Sequence, residues 1–254
     1  MSRTPLIAGN WKLHCSVAQS VELARAVLHR APRDTNVEIM VAPVFTALHA
    51  VHEALGDTGR ISLGAQDVYW ADEGPHTGEV SAPMLKDVGC TYVIVGHSER
   101  RARFHDTDDA VRQKVGAVLS HKLRPIVCIG ETLAQREASE TEAVVLGQLD
   151  AAVAGLDAAA MLPLVVAYEP VWAIGTGKTA TPEDAESVHA AIRARVAETH
   201  GAGTAAALRI LYGGSVKPAN AEGLLRCENI DGALVGGAAL TADTFVPIIE
   251  AAGA

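Results

Sequence analysis

The feature that most constrains the fold of this chain is an eightfold alternation between short apolar runs and longer, alanine-rich amphipathic runs. Each apolar run is seven or eight residues long, and several are rich in β-branched residues. Continuous apolar runs of this length are typical of strands that are buried on both faces of a parallel sheet. The eight runs cover residues 5–11, 37–43, 61–67, 91–97, 124–130, 162–169, 208–214 and 231–237.

The segments between these runs carry helix start and stop signals. The clearest begins at Thr181, a candidate N-cap that is followed by Pro182 in the first turn, and it ends at Gly201. Residues 16–31 and 106–123 have a similar pattern. We therefore predict a helix in each of these three segments.

Eight strand–helix units in 254 residues predict an α/β protein, a closed (β/α)8 barrel with a single domain over residues 1–254. A doubly wound open sheet is the alternative. It is less favoured because the chain contains eight strand–helix units of regular length. In a barrel of this kind the functional groups belong at the carboxyl ends of the strands. A site is therefore expected where the apolar runs end.

Composition excludes several classes of partner. Lysine and arginine number 21 against 30 aspartate and glutamate, a net charge of −9, which argues against a nucleic-acid-binding or anionic membrane surface. The four cysteines have neither CxxC spacing nor a zinc pattern with histidine, and they are expected to be reduced thiols. No leader-like or membrane-spanning apolar segment is evident in the sequence. A cytoplasmic protein is expected.

Polar side chains stand at the ends of three of the apolar runs. Asn10 and Lys12 lie at the end of the first run, His97 at the end of the fourth and Glu169 at the end of the sixth. A single histidine or glutamate at such a position is more often a hydrogen-bonded or solvated side chain than a catalytic one. Together at one rim, however, an amide, a lysine, a histidine and a glutamate form a set suited to proton transfer beside a fixed positive charge.

Paired glycines follow the seventh and eighth runs, in the sequences YGGSV (212–216) and VGGAAL (235–240). Glycine lets backbone N–H groups approach an anion closely, and the loops after strands seven and eight often hold phosphate in barrels. Tight turns are the simpler explanation for either pair alone. With Lys12, they predict a local phosphate site in an acidic protein.

The sequence GTGKTAT (175–181) is similar to a nucleotide-binding loop. A P-loop requires glycine at position 172, where the chain has Trp172. A dinucleotide loop must follow its strand directly, but several residues separate the strand from Gly175. Because the connection is long for a barrel, we interpret it as a lid that closes over a phosphate, with an apolar tip at Ala173 and Ile174.

Six motifs, in this order and spacing, are similar to those of the triosephosphate isomerase family. They are AGNWK, GHSERR, CIGET, AYEPVWAIGTGKTAT, YGGSV and LVGGA, and the resemblance extends from about residue 6 to residue 249. The motifs AYEPVWAIGTG and GHSERR are highly specific. The resemblance implies a TIM barrel that interconverts dihydroxyacetone phosphate and D-glyceraldehyde 3-phosphate through an enediolate, in glycolysis and gluconeogenesis, without cofactor or metal.

The resemblance also implies roles for individual residues. Glu169 is expected to be the catalytic base and Lys12 to stabilise the enediolate, with Asn10 supporting the same oxygen. His97 is expected to be a neutral electrophile whose pKa is lowered by a helix N-terminus that begins at Ser98, a behaviour already known for this family.

Further positions match the family's substrate-binding and supporting residues. The phosphate is expected to bind through backbone N–H groups; the residues concerned are Gly175, Ser215, Gly236 and Gly237. The hydroxyl of Tyr212 is expected to hold the closed lid near Ala180. Glu99 and Glu131 are expected to be hydrogen-bond or ion-pair partners of the site, and Cys128 to pack beside it rather than act as a nucleophile.

The resemblance implies a homodimer in which the loop around Thr77 inserts into the neighbouring subunit. Thr77, Gly78 and Glu79 match the family motif, whereas Pro75 and His76 replace a small residue and an aromatic residue at its tip. This departure leaves the strength of the interface open.

Two other functions remain as alternatives. A Schiff-base aldolase requires a lysine inside a central strand, whereas Lys12 follows its strand. A barrel that only binds partners would be indicated by loss of Lys12, His97 or Glu169, and all three are present.

Overall fold

Eight parallel strands close into a barrel in which each strand pairs with the next along the chain and the eighth pairs with the first. The structure, a computed structural model, describes residues 3–174 and 179–253. Each predicted apolar run contains one strand, which confirms the (β/α)8 TIM barrel. The strands are β1 (Leu6–Asn10), β2 (Glu38–Ala42), β3 (Ser62–Ala65), β4 (Tyr92–Val95), β5 (Arg124–Ile129), β6 (Val165–Tyr168), β7 (Arg209–Tyr212) and β8 (Gly232–Val235).

Helices surround the barrel, and α1, α5 and α9 confirm the three helices predicted from the sequence. None of the described helices is long and apolar enough to cross a bilayer. Over the described ranges, the α-helices are α1 (Val17–Arg30), α2 (Leu48–Leu55), α3 (Ala82–Asp87), α4 (Ser98–Phe104), α5 (Asp108–Ser120), α6 (Leu133–Glu137), α7 (Thr141–Ala152), α8 (Ala158–Met161), α9 (Pro182–His200), α10 (Ala202–Ala207), α11 (Pro218–Leu225) and α12 (Ala242–Ala252). Short 3-10 helices cover Phe45–Ala47, Gly56–Thr58, Val171–Ala173 and Gly237–Leu240.

The ends of α9 show why local sequence sufficed to predict it. The Thr181 hydroxyl accepts a hydrogen bond from the backbone N–H of Asp184 at 3.1 Å, and Pro182 occupies the first turn. Gly201 ends the helix with φ at 90°, a conformation that glycine adopts without strain. Both boundaries therefore depend on residues within the helix or directly beside it.

Alternate strand residues divide the core into two layers, as the period of a β-strand requires. In β1, Leu6 and Ala8 point into the barrel, whereas Ile7 packs against the surrounding helices. Twelve side chains fill the barrel interior, so it is a packed core rather than a pore. They are Leu6, Ala8, Met40, Ala42, Tyr92, Ile94, Ile126, Cys128, Val165, Ala167, Leu211 and Leu234.

Candidate active site

A cleft of about 780 Å³ opens at the carboxyl ends of the strands. Seven of the eight predicted site residues line it, although they come from five separate segments of the chain. Gly175, the eighth, lies outside the residues that the structure describes. The seven are Asn10, Lys12, His97, Glu169, Ser215, Gly236 and Gly237.

The carboxylate of Glu169 is held at the base of this cleft with only 2% of its surface exposed. Its backbone N–H donates to the carbonyl of Ile129 at 2.8 Å, which continues the sheet pairing one residue beyond β6. One carboxylate oxygen accepts the backbone N–H of Ser98 at 2.8 Å, and the other lies 2.9 Å from Nε2 of His97. A buried carboxylate is therefore held by two partners from the end of β4.

His97 is the N-cap of α4, and this position selects its tautomer. The backbone N–H of Glu99 donates to Nδ1 of His97 at 3.2 Å. Because Nδ1 accepts, Nε2 carries the proton of the neutral ring and points it at Glu169. The helix N-terminus predicted at Ser98 is confirmed, since α4 begins at this residue.

The direction of the His97 pKa shift differs from the sequence expectation. Burial lowers the pKa of His97, but the charge of Glu169 and its hydrogen bond outweigh burial and raise the pKa above its ordinary value. The expectation of a lowered pKa was wrong for this arrangement because it considered the helix N-terminus and omitted the carboxylate that contacts the ring.

Lys12 adopts a left-handed backbone conformation, with φ at 52°, two residues after the end of β1. Such a conformation is uncommon for residues with a β-carbon and needs support from its surroundings. The Asn10 side chain accepts the Lys12 backbone N–H at 3.0 Å, and the Gln66 amide donates to the Lys12 carbonyl at 2.8 Å. The ammonium of Lys12 donates to Glu99 at 2.8 Å. Asn10 and Gln66 thus fix the turn that aims Lys12 into the cleft.

Two of the paired glycines make room for catalytic side chains. A β-carbon at Gly213 would lie 2.8 Å from Cγ of Glu169, and one at Gly236 would lie 3.0 Å from Cε of Lys12. Both distances are shorter than a normal contact between carbon atoms. The sequence suggests tight turns or a phosphate site for these pairs, whereas their steric role depends on contacts between segments that are distant along the chain.

The same loops present hydrogen-bond donors to the cleft. Within the described residues, the backbone N–H groups of Ser215 and Gly237 donate to no protein acceptor, and Gly237 begins a 3-10 helix. Arg103 and Lys217 also line the cleft, and the sequence analysis missed both. Lys217 could have been predicted as a residue of the site from the sequence, because it lies only two residues after Ser215. An anion in this cleft would meet unpaired N–H groups and several cationic side chains.

Glu131 supports the segment that follows Glu169. Its carboxylate is fully buried and accepts hydrogen bonds from the Tyr168 hydroxyl at 3.1 Å and from the Trp172 indole at 2.8 Å. The Arg136 guanidinium lies over the Trp172 ring at 4.5 Å. Glu131 thus binds the residues on either side of the segment 169–171, and its expected role as a partner of the site stays a prediction.

The two remaining expectations near the site concern Cys128 and Tyr212. Burial first, and the nearby Glu169 charge second, raise the pKa of Cys128 well above its usual range, and its fully buried side chain packs in the barrel interior. Burial raises the pKa of Tyr212 to about 12, while the neighbouring Ala180 backbone N–H acts in the opposite direction and lowers this pKa. The Tyr212 hydroxyl lies near Ala180 but makes no hydrogen bond of normal geometry within the described chain.

The positions of Ala173 and Ile174, at the start of the proposed lid, differ in part from the sequence prediction. Ala173 was interpreted as part of an apolar tip, but it is fully buried in a 3-10 turn, whereas Ile174 lines the cleft. The described residues contain no cluster of three or more histidine, cysteine or acidic side chains that is arranged to hold a metal ion.

Comparison with known proteins identifies the family. A family model described as triosephosphate isomerase matches residues 5–252. The chain belongs to the triosephosphate isomerase family. It is an isomerase, and the match covers every strand of the barrel and every described residue of the cleft.

This chain is similar to individual triosephosphate isomerases over nearly their full length. The triosephosphate isomerase of Roseiflexus sp. (strain RS-1) is 51% identical over 248 residues, 98% of this chain and 97% of the relative. That of Trichlorobacter lovleyi is 51% identical over 251 residues, 99% of this chain and 100% of the relative. That of Chloroflexus aurantiacus is 51% identical over 98% of this chain and 99% of the relative.

Proposed function

We propose that this enzyme interconverts dihydroxyacetone phosphate and D-glyceraldehyde 3-phosphate through an enediolate. The observation that carries the proposal is the convergence of Glu169, His97 and Lys12 in one cleft, beside backbone N–H groups of Ser215 and Gly237 that have no acceptor among the described residues. Membership of the family supports this reaction. The cleft contains side chains suited to act as base, acid and fixed cation, together with backbone N–H groups suited to bind phosphate. The reaction places the enzyme in glycolysis and gluconeogenesis.

Glu169 is the base that removes a proton from the carbon next to the carbonyl and returns it to the neighbouring carbon. In the described arrangement its carboxylate is bound to His97 and to the Ser98 N–H. The substrate must therefore lie between Glu169 and His97 and separate them. Burial at 2% exposure favours catalysis because few water molecules compete for the carboxylate.

His97 and Lys12 act on the substrate oxygens. The Nε2–H of His97, released from Glu169, donates to the carbonyl oxygen and moves a proton between the two oxygens of the enediolate. Lys12 stabilises the negative charge that develops on that oxygen, with Asn10 holding the Lys12 backbone in place. Glu99 binds both the Lys12 ammonium and Nδ1 of His97, so it couples their orientation.

The phosphate binds to backbone N–H groups of Gly175, Ser215, Gly236 and Gly237. Residues 170–180 form the lid, and its closure uses the binding energy of a group that does not react. Trp172 at one end of the lid is bound to Glu131, and Ala180 at the other end lies beside Tyr212. These contacts give each end of the lid a fixed anchor.

The protein acts as a homodimer through the loop around Thr77. This loop is largely exposed, and its departure from the family is accommodated locally because the His76 ring packs on Tyr69 with centroids 4.4 Å apart. A cleft of about 510 Å³ near Leu13 and Phe45 is the complementary surface, and Leu13 is 93% exposed. An apolar side chain exposed to this degree beside Lys12 fits an interface that borders the active site.

The remaining properties complete the proposal. We expect one domain over residues 1–254, a cytoplasmic location, no metal and no organic cofactor. The four cysteines are free thiols in the structure, which suits a reducing compartment.

The test is turnover of D-glyceraldehyde 3-phosphate by purified protein in a metal chelator, compared with Glu169→Gln. We expect the substitution to lower kcat by about 10²- to 10⁴-fold, because it replaces the base by an amide of similar shape. The matched control is Glu53→Gln, which changes the same charge on the exposed face of α2. A folded wild-type protein without turnover would contradict the isomerase reaction, and equal turnover in the Glu169 variant would contradict its role as base.

A further inference from the structure

The barrel has a second cleft, of about 340 Å³, at the end opposite the active site. Arg3, Arg124 and Arg209 line it, and Glu38 is the carboxylate among its lining residues. These residues stand at or before the amino ends of four strands, whereas the proposed catalytic residues stand at carboxyl ends. Along β5, six residues at about 3.3 Å each separate the two ends by roughly 17 Å.

A hydrogen-bond network centred on the buried Tyr92 holds two of the guanidinium groups in place. The Tyr92 hydroxyl donates to Glu38 at 2.7 Å and accepts from Arg124 at 2.9 Å and from Arg209 at 2.8 Å. Arg209 also donates to the other oxygen of Glu38 at 2.6 Å. Tyr92 is fully buried and belongs to the barrel core, so the network is anchored to the most rigid part of the fold.

The cluster of side chains around this cleft carries excess positive charge. Asp231 is bound by Arg3 and by Arg193, and Glu38 is bound by Arg124 and Arg209. Four guanidinium groups therefore face two carboxylates, which leaves a net charge of +2 in a chain whose total is −9. Burial opposes ionisation of Glu38, but hydrogen bonds from Tyr92 and Arg209 lower its pKa, so the carboxylate stays charged and the count holds at neutral pH.

Several guanidinium N–H groups at this cleft have no acceptor among residues 3–174 and 179–253. Arg124 donates only through Nη1, and Arg3 donates through Nε and Nη2, among the residues that the structure describes. Within the described chain, the N–H groups on Nη2 and Nε of Arg124 and on Nη1 of Arg3 therefore remain without an acceptor. The Nε and Nη2 edge of Arg124 is a guanidinium fork suited to bind a carboxylate or phosphate group, and Nη1 of Arg3 adds a single further donor.

We propose that this cleft is a second binding site, for a small organic dianion that carries a phosphate group or two carboxylates. Its charge matches the +2 of the cluster, and Arg3 and Arg124 supply the free donors. Leu162, which is 63% exposed at the edge of the cleft, provides an apolar contact for a short carbon body. This site is independent of the isomerase proposal because it shares no residue with the active-site cleft.

Binding here would connect strands that are distant in sequence. Arg3 precedes β1, Arg124 begins β5 and Arg209 begins β7, so one anion would link opposite sides of the barrel. A ligand that binds only the folded state raises the free energy of unfolding. The cleft therefore provides a means for a small metabolite to stabilise the barrel without occupying the active site.

The test is an NMR titration of the 15N-labelled protein with inorganic phosphate, with succinate, and with sodium chloride at matched ionic strength. Phosphate is expected to shift two separate groups of amides, one near Ser215 and Gly237 and one near Thr4 and Arg209. Saturating shifts at Thr4 and Arg209 with phosphate or succinate support the site, and the more effective anion identifies the preferred chemistry. Equal shifts with chloride, or no saturating shift at these amides, overturn it.

Arg124→Gln tests the residues, and Arg112→Gln is its matched control. Both arginine side chains are 48% exposed and both substitutions remove one positive charge, but Arg112 lies on α5, outside the cleft. Arg124→Gln is expected to weaken binding at the second group of amides by about tenfold or more, while Arg112→Gln leaves it unchanged. Equal weakening by both variants overturns the proposal.

A conservative variant keeps the test informative if Arg124→Gln fails to fold. Arg124→Lys keeps the charge but loses the planar fork, so it is expected to bind the anion several-fold more weakly than the wild type. Unchanged affinity in this variant contradicts the contact assigned to Arg124. Unchanged shifts at Ser215 and Gly237 in every variant confirm that the active site is intact.

Discussion

Nε2 of His97 lies 2.9 Å from a carboxylate oxygen of Glu169. The proposed acid and the proposed base therefore bind each other in this structure. Burial excludes water from both side chains, and each needs a partner for its polar atoms. The contact therefore holds the carboxylate and the imidazole in a fixed orientation until substrate replaces it. It also makes the two groups dependent on each other in ways that can be measured.

The pKa of His97 should fall when Glu169 is replaced by glutamine. The Glu169 charge raises this pKa, whereas burial and Lys12 lower it, and Glu99 makes a smaller contribution that raises it. We expect the variant to titrate below the ordinary value of about 6.5 and the wild type above it. NMR titration of the histidine ring protons measures both, and Glu53→Gln should match the wild type.

The raised pKa also predicts how stability depends on pH. Because the folded pKa of His97 lies above the unfolded one, protonation contributes stability that is fully present below about pH 6.5 and is lost as pH rises through the folded pKa. Urea unfolding of wild type and Glu169→Gln should therefore show a larger stability difference below pH 6.5 than above the folded pKa. A difference that grows with pH would contradict this sign.

Gly213→Ala should impair catalysis without unfolding the protein. The added β-carbon would lie 2.8 Å from Cγ of Glu169 and must displace its side chain. Misplacement of a catalytic group by about 1 Å costs about 10²-fold in rate, so we expect kcat to fall by that factor. The control is Gly147→Ala in α7, where a β-carbon meets no other atom within 4 Å and should stabilise the helix by about 1 kcal/mol. Steady-state kinetics and thermal unfolding separate the two effects.

Tyr212→Phe should change activity more than stability. The buried hydroxyl makes no normal hydrogen bond within the described chain, so its removal should leave Tm nearly unchanged. If the hydroxyl binds Ala180 when the lid closes, kcat/KM should fall by about fivefold, the value of one neutral hydrogen bond. Tyr168→Phe is the matched contrast, since its hydroxyl donates to the buried Glu131 and its loss should lower Tm. A large drop in Tm for Tyr212→Phe would contradict the assignment.

Thr77→Arg should convert the proposed dimer to monomers. Burial of an unpaired guanidinium in the partner's cleft is expected to destabilise the dimer by about 3 kcal/mol or more. Because the cleft near Leu13 borders Lys12, the monomer should also lose activity. Light scattering after size-exclusion chromatography measures the mass, and Thr199→Arg, at an exposed position near the end of α9, is the control. An unchanged mass for Thr77→Arg would place the interface elsewhere.

Local chemistry explains the parts of the fold that the sequence predicted. The eight apolar runs each became a strand because strands buried on both faces must be continuously apolar, and α9 began at Thr181 and ended at Gly201 because its caps are local. Seven predicted site residues meet in one cleft, as the rule for strand ends in a barrel requires. Their catalytic roles remain predictions, and Gly175 lies outside the described residues.

What the sequence determined by itself was therefore the kind and order of the elements, the family and the residues near the site. What only the tertiary structure decided was how those residues affect one another across the barrel. The contact between His97 and Glu169 reverses the expected pKa shift, Gly213 makes room for Glu169, and Arg3, Arg124 and Arg209 meet at the opposite end. Each of these effects depends on distances of a few ångströms between residues from different strands, and spacing along the chain does not specify such distances.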